Sequence, residues 1–145
     1  MKKMVRAVLF AVMAVFSTAV FAWEDPCAMP ANLTEIEGVY QIGTCGDLYK
    51  FAAMVNGGET GINGRLTADI CVNACGEGES VLKADGSLNG DGSNFKPWTP
   101  ILGYDGTFDG NGYSISNMKV RTLDSYNNAG FFGTLNNATI KNVDF

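Results

Sequence analysis

Leu48, Phe51, Ala52 and Val55 fall at i, i+3, i+4 and i+7, which puts four apolar side chains on one stripe of a helix. Thr44 stands just before the stripe as an N-cap, with Asp47 three residues on, where a capping box wants an acid. Asn56-Gly57-Gly58 ends it, since Asn and Gly accept the left-handed conformation of a helix C-cap. The pattern thus predicts one helix, over about 45–56. Val39–Ile42 ahead of it is a short strand candidate, and behind it Leu66, Ala68, Ile70 and Val72 alternate with Thr67, Asp69 and Cys71, the period of a half-buried strand. Residues 76–96 are rich in Gly, Ser, Asn and Asp, with Val81-Leu82 the one apolar pair, and are predicted to be a long surface loop.

From Trp98 onward short apolar runs alternate with glycine-asparagine turns and nothing has the period of a helix. Strand candidates are Ile101-Leu102, Gly106-Thr107-Phe108, Ser114-Ile115, Met118–Val120, Gly130–Phe132 and Thr139-Ile140. Within this stretch Ile115-Ser116-Asn117-Met118-Lys119-Val120 returns further on as Ile140-Lys141-Asn142-Val143-Asp144-Phe145. A return at a fixed period, here the 25 residues from Ile115 to Ile140, is the mark of a solenoid or propeller array. Ile115 and Met118 are three apart, as are Ile140 and Val143, so strand alternation alone would send them to opposite faces. A left-handed bend at Asn117 and Asn142 returns both to the interior, and stacking would set Asn142 over Asn117. The chain stops on the second copy, so it reads as the front end of a longer protein.

Residues 1–22 belong to no fold. Lys2, Lys3 and Arg6 precede an apolar run from Ala7 to Val20, and Val20-Phe21-Ala22 suits signal peptidase; this is a secretory leader, too short to be a membrane span. Cys27 follows Glu24-Asp25-Pro26 in place of a small apolar run, which argues against lipid attachment. Cleavage after Ala22 leaves 123 of the 145 residues and takes three of the 10 Lys+Arg, so 7 remain against 15 Asp+Glu. That net charge of −8 repels nucleic acid and anionic headgroups. Cys27, Cys45, Cys71 and Cys75 are an even number in an exported chain, which favours two disulfides. Spacing leaves the pairing open: Cys71 and Cys75 could bridge each other, or one could tie back to Cys45.

The chain has no histidine, so neither a Ser-His pair nor a His general base exists. Asp105, Asp109 and Asn111 cluster within seven residues but lack the order of a calcium loop; Gly110-Asn111-Gly112 reads instead as a tight turn whose backbone amides Asp109 caps. Gly110-x-Gly112 precedes no helix and so cradles no phosphate. Asp105 with Asp109, or Asp124 with Arg121, are the pairs a polysaccharide lyase or hydrolase could use. Trp23, Tyr104, Tyr113 and Tyr126 could stack on sugars from one exposed face, or pack in the core. Asn32-Leu33-Thr34 and Asn137-Ala138-Thr139 fit the glycosylation sequon and mean little in what reads as a bacterial export product.

Trp98-Thr99-Pro100-Ile101 leads into Gly106-Thr107-Phe108-Asp109-Gly110-Asn111-Gly112-Tyr113-Ser114-Ile115-Ser116-Asn117, then Gly130-Phe131-Phe132-Gly133 and Thr139-Ile140-Lys141-Asn142-Val143. This resembles the GLUG-motif repeats of bacterial adhesin-like, filamentous-haemagglutinin-like surface proteins, and residues 39–70 resemble the segment that precedes their first repeat. The resemblance covers roughly 39–145; Phe131, Met118 and Val143 stand where Leu is usual, and residues 71–97 are an insertion with extra cysteines. It implies an all-β fold with one capping helix, the N-terminal portion of a right-handed parallel β-helix. Residues 1–22 are then the leader, 23–97 an N-terminal cap region and 98–145 the start of the repeats. Gly106, Phe108, Asp109, Gly110, Gly112, Ile115, Asn117, Gly130, Phe132, Gly133, Ile140 and Asn142 are its structural positions. The resemblance implies an exported structural or binding module and does not imply catalysis; no catalytic, cofactor or metal residue is expected. Its expected partners are carbohydrate, a ligand on a host or neighbouring cell, and further repeats of the same polypeptide. The competing readings are the N-terminal part of a carbohydrate-active β-helix enzyme, and a small secreted binding domain held by disulfides.

Overall fold

A computed structural model of the chain describes residues 27–73, 83–85, 87–90, 95–120 and 129–145. Helix α1 (Cys45–Asn56) begins where its caps require. The Asp47 N–H donates to Thr44 Oγ1 at 3.1 Å, and the Thr44 N–H donates back to Asp47 Oδ2 at 3.0 Å, satisfying two backbone donors that the first turn leaves free. At the other end the left-handed residue is Gly58, with φ 114°, while Gly57 stays right-handed. Leu48, Phe51, Ala52 and Val55 are all buried, as their spacing requires.

The helix covers a five-stranded sheet. Its strands are β1 (Thr34–Ile36), β2 (Val39–Ile42), β3 (Asn63–Leu66), β6 (Thr107–Asp109) and β9 (Thr139–Lys141), adjacent in that order. The β1–β2 pair is an antiparallel hairpin turned by Glu37 and Gly38, both left-handed, the backbone a two-residue type I′ turn demands. The other neighbours run parallel. Two smaller parallel sheets pair β4 (Ile70–Cys71) with β7 (Ile115–Ser116), and β5 (Pro97–Trp98) with β8 (Lys119–Val120).

The all-β, right-handed parallel β-helix expected above is therefore corrected: the described residues form a small mixed α/β fold with a sheet of mixed strand direction. A solenoid needs units of one length, each burying the one before. Here the step along the sequence changes from one parallel neighbour of the large sheet to the next: Val39 faces Asn63, Gly64 faces Phe108, and Phe108 faces Ile140. The inserted helix and the 71–97 stretch make the connections unequal. The hexapeptide repeat fails as a stacking rule for the same reason. Ile140 lies beside Phe108, whereas Ile115 lies beside Ile70, so Asn142 does not stack on Asn117. Both asparagines are nonetheless left-handed, with φ 54° and 56°.

Other elements shift as well. The alternation from Leu66 to Val72 does not make one strand; the chain bends after Leu66 and resumes as β4, which puts Leu66, Ile70 and Val72 all in the core. Ile101 and Phe132 meet in a single bridge in place of strands. The core is aromatic. Phe51, Trp98, Tyr104 and Phe108 are fully buried, with Trp98 stacked on Phe131 at 4.7 Å and Tyr104 on Phe132 at 5.5 Å. Tyr104 is thus no sugar platform. Its hydroxyl donates to the Ile62 carbonyl at 2.9 Å, and Trp98 Nε1 donates to the Phe131 carbonyl at 3.0 Å, so both polar handles are satisfied inside.

Candidate functional site

The parallel register sets Gln41, Arg65, Asp109 and Lys141 in one row across the face of the large sheet. Asp109 is the only carboxylate in that row and is 7% exposed. Its Oδ2 lies 3.3 Å from Arg65 Nη2 and 3.5 Å from Lys141 Nζ. Its Oδ1 accepts from the Asn111 N–H at 2.9 Å and from Asn142 Nδ2 at 3.1 Å. Burial on its own would raise the carboxyl's pKa; the Asn111 N–H, the Asn142 amide and Lys141 outweigh it and hold it below the ordinary value. This is a carboxylate saturated by four donors and committed to its ion, the reverse of a general acid.

The Asp109 bond to Asn111 opens a turn in which Asn111 and Gly112 are both left-handed and the Tyr113 N–H closes on the Gly110 carbonyl at 2.8 Å. Gly110 is where β9's continuation crosses closest: a Cβ there would run into the Asn142 carbonyl and Val143. The Gly110 and Gly112 N–H groups instead donate to the Lys141 and Asn142 carbonyls at 2.8 and 2.9 Å. Asp109, Gly110, Asn111, Gly112, Ile140 and Asn142 from the sequence motif therefore converge at one corner. Gly106, Phe108, Ile115 and Phe132 lie elsewhere in the core or against it. Asn117, Gly130 and Gly133 stand apart from that corner, half-buried.

The carboxylates considered for catalysis are not brought together. Asp105 is exposed, with its N–H on the Thr60 carbonyl at 3.0 Å, and its side chain is not among the groups that contact Asp109. Asp124 and Arg121 lie outside the described residues, as do Cys75, Trp23 and Tyr126. Tyr113 is half-buried against the core. Among the described residues no group of three or more His, Cys, Asp or Glu could hold a metal ion. No described helix is long and apolar enough to cross a membrane.

Cys27 is bonded to Cys45, with Cα atoms 4.7 Å apart, which fastens the lead-in to the first turn of α1. Cys71 is disulfide-bonded too. Two residues that the pattern did not single out hold the chain across the long insertion. Buried Asn73 accepts from the Lys96 N–H at 2.7 Å and donates to the Lys96 and Asn117 carbonyls at 3.3 and 3.0 Å. Lys96 Nζ donates to the Cys27 carbonyl at 2.8 Å and sits 4.6 Å above the Tyr49 ring. Nothing local flags either residue, because their partners are remote in sequence.

Beyond Asp109 lies the last described strand of the large sheet. β9 pairs with β6 on one side and with no described strand on the other. Around it Ile140, Val143 and Phe132 are half-buried, and Leu135 and Phe145 are 46% and 59% exposed. The opposite edge differs: β1 presents Glu35 on the core-facing side, level with Tyr40. A strand added there would have to bury that charge, a common way of blunting an edge. The chain matches no protein-family model, no curated protein and no solved structure.

Proposed function

We propose that this chain is a non-catalytic module of an exported, adhesin-like surface protein, working as structure or by binding. The observation that carries the reading is the asymmetry of the large sheet: a charged, blunted edge at β1, and at β9 an edge with no neighbour among the described residues, flanked by apolar side chains. An unpaired strand beside an apolar surface is suited to receiving a further strand or a docked surface. The partners are further repeats of the same polypeptide, or carbohydrate or another ligand on a neighbouring cell. Three features support the reading. The leader ends at Ala22, the Cys27–Cys45 bond suits an oxidising compartment, and the residues from Trp98 to Val143 resemble GLUG repeats. The alternative, part of a carbohydrate-active enzyme, gains no support from Asp109, whose carboxylate is occupied by four donors.

The test uses the whole chain, expressed with its leader in a bacterial host. The expected result is export with a new N-terminus at Trp23, and saturable retention on cell-surface polysaccharide with no release of sugars. Retention of the leader in the cytosol, or release of reducing or unsaturated ends that depends on Asp109, would overturn the proposal.

A further inference from the structure

Four Asn-Gly steps occur in the sequence, at Asn56, Asn63, Asn89 and Asn111. The chemistry of this step is intrinsic. Glycine lacks the Cβ that would shield its amide nitrogen, so the nitrogen can reach the carbonyl carbon of the preceding side chain. Whether it does depends on freedom of both groups, and the fold treats the four steps differently.

Three are locked. Asn56 accepts from the Leu102 N–H at 2.9 Å and donates to the Pro100 carbonyl at 3.2 Å, while the Gly57 N–H is held by the Ala53 carbonyl at 2.9 Å. Asn63 accepts from the Thr107 N–H at 2.9 Å, and Gly64 is buried in β3 between Tyr40 and Phe108. Asn111 donates to the Leu66 carbonyl at 3.4 Å, and the Gly112 N–H is held by the Asn142 carbonyl at 2.9 Å. The fourth is free. Asn89 and Gly90 are exposed, Gly90 has φ 76° with open space around it, and neither residue has a hydrogen-bond partner among the described residues. The turn just before them is fixed. Asp85 Oδ1 accepts from the Ser87 N–H at 2.9 Å and the Ser87 hydroxyl at 2.6 Å, and the Lys83 N–H reaches the Ser87 carbonyl at 2.7 Å. Leu88, Asn89 and Gly90 follow that turn, all exposed.

We infer that Asn89-Gly90 is a site of spontaneous covalent modification, converting to aspartate and isoaspartate ahead of every other Asn-Gly step in the folded chain. The Gly90 nitrogen gives up its proton and bonds to the side-chain carbonyl carbon of Asn89. The side-chain nitrogen leaves as ammonia, and a succinimide ring remains. Water then opens the ring at either carbonyl, giving aspartate or isoaspartate with no change of oxidation state. The folded protein so gains one negative charge at a defined point, and in the isoaspartate product the backbone lengthens by one methylene. An exported chain beyond reach of cytosolic repair would keep the mark.

The experiment is peptide mapping by mass spectrometry of the full, disulfide-intact chain after incubation at mildly alkaline pH, alongside the same chain in denaturant. In the native chain Asn89 is expected to convert at least about tenfold faster than Asn56, Asn63 or Asn111, because a locked site must open first and each ~1.4 kcal/mol of opening is a factor of ten. In denaturant the four rates should converge. Gly90→Ala, on an exposed turn, should slow the Asn89 reaction while the other three sites keep their native protection. Native conversion led by a different step would overturn the inference, as would a Gly90→Ala rate equal to that of the unmodified chain.

Discussion

Replacing Asp109 by Asn asks how firmly the charge row holds β9 to the sheet. The substitution keeps a side-chain oxygen for the Asn111 N–H and the Asn142 amide, and removes the charge felt by Arg65 and Lys141. The two cationic side chains are 47% and 48% exposed, so each pair is screened and contributes less than about 1 kcal/mol. The loss expected for Asp109→Asn is therefore about 1 kcal/mol. Asp109→Ala also strands the Asn111 and Asn142 donors, and its loss rises to about 3 kcal/mol. Urea denaturation of the whole chain measures both. Added salt should shrink the Asn deficit and leave most of the Ala deficit, since only the first is purely Coulombic. The pH dependence follows from the same contacts. Burial raises the Asp109 pKa, the Asn111 N–H, the Asn142 amide and Lys141 lower it by more, and the folded value ends below the ordinary one. A group depressed on folding stabilises above its unfolded pKa of about 3.9, and that stability is lost as pH falls through the folded value. Below about pH 4 the native chain should therefore lose stability more steeply than Asp109→Asn, which has nothing to titrate there. Equal urea midpoints for the two at low salt, together with matching acid limbs, would refute the argument.

Three further substitutions probe other joints. Gly110→Ala drives a Cβ into the Asn142 carbonyl and Val143, so we expect a loss of about 2 kcal/mol and faster hydrogen exchange at Thr139–Lys141; unchanged exchange would mean the crossing is looser than described. Cys45→Ser opens a bridge with a sequence separation of 18 and should cost about 3 kcal/mol in thermal unfolding under oxidising conditions; an unchanged melting temperature would mean that the bridge does not constrain the unfolded chain. Asn117→Ala should cost about 1 kcal/mol because φ is 56°, and Asn117→Gly should recover most of it; equal melting temperatures for the two would exclude backbone strain as the cause.

What was legible in the sequence was local. Thr44, Asp47 and the Leu48–Val55 stripe specify α1 because caps and stripe lie within four residues of what they act on. Asp109 was legible as a turn acid through Asn111, two residues away, but not as the centre of a charge row. Arg65 is 44 positions from it and Asn142 is 33, distances at which nothing but strand register brings side chains together. The β9 edge was invisible for a related reason. Thr139-Ile140-Lys141 is alternating like other strands here, and only the absence of a described neighbour makes it an edge.

The repeated hexapeptide separates these two kinds of information. Ile115-Ser116-Asn117 and Ile140-Lys141-Asn142 share a local conformation, a strand ending in a left-handed asparagine, since φ and ψ answer to the residue and its immediate neighbours. Their partners differ because register is settled by bulk packed further back. Ile101 bridges Phe132 and Tyr104 bridges Leu135, the same step along the chain in both cases, and the Trp98–Phe131 and Tyr104–Phe132 ring stacks lock that offset. Once those rings are placed, Ile140 arrives beside Phe108, and Lys141 beside Asp109. A rival register that set Ile140 beside Ile115 would have to unstack both aromatic pairs, each contributing about 0.5–1.5 kcal/mol beyond its buried area. It would also part Asp109 from Lys141 and Asn142. Two matching hexapeptides offer nothing comparable in return, so aromatic packing, and not sequence period, decides which strand lies next to which.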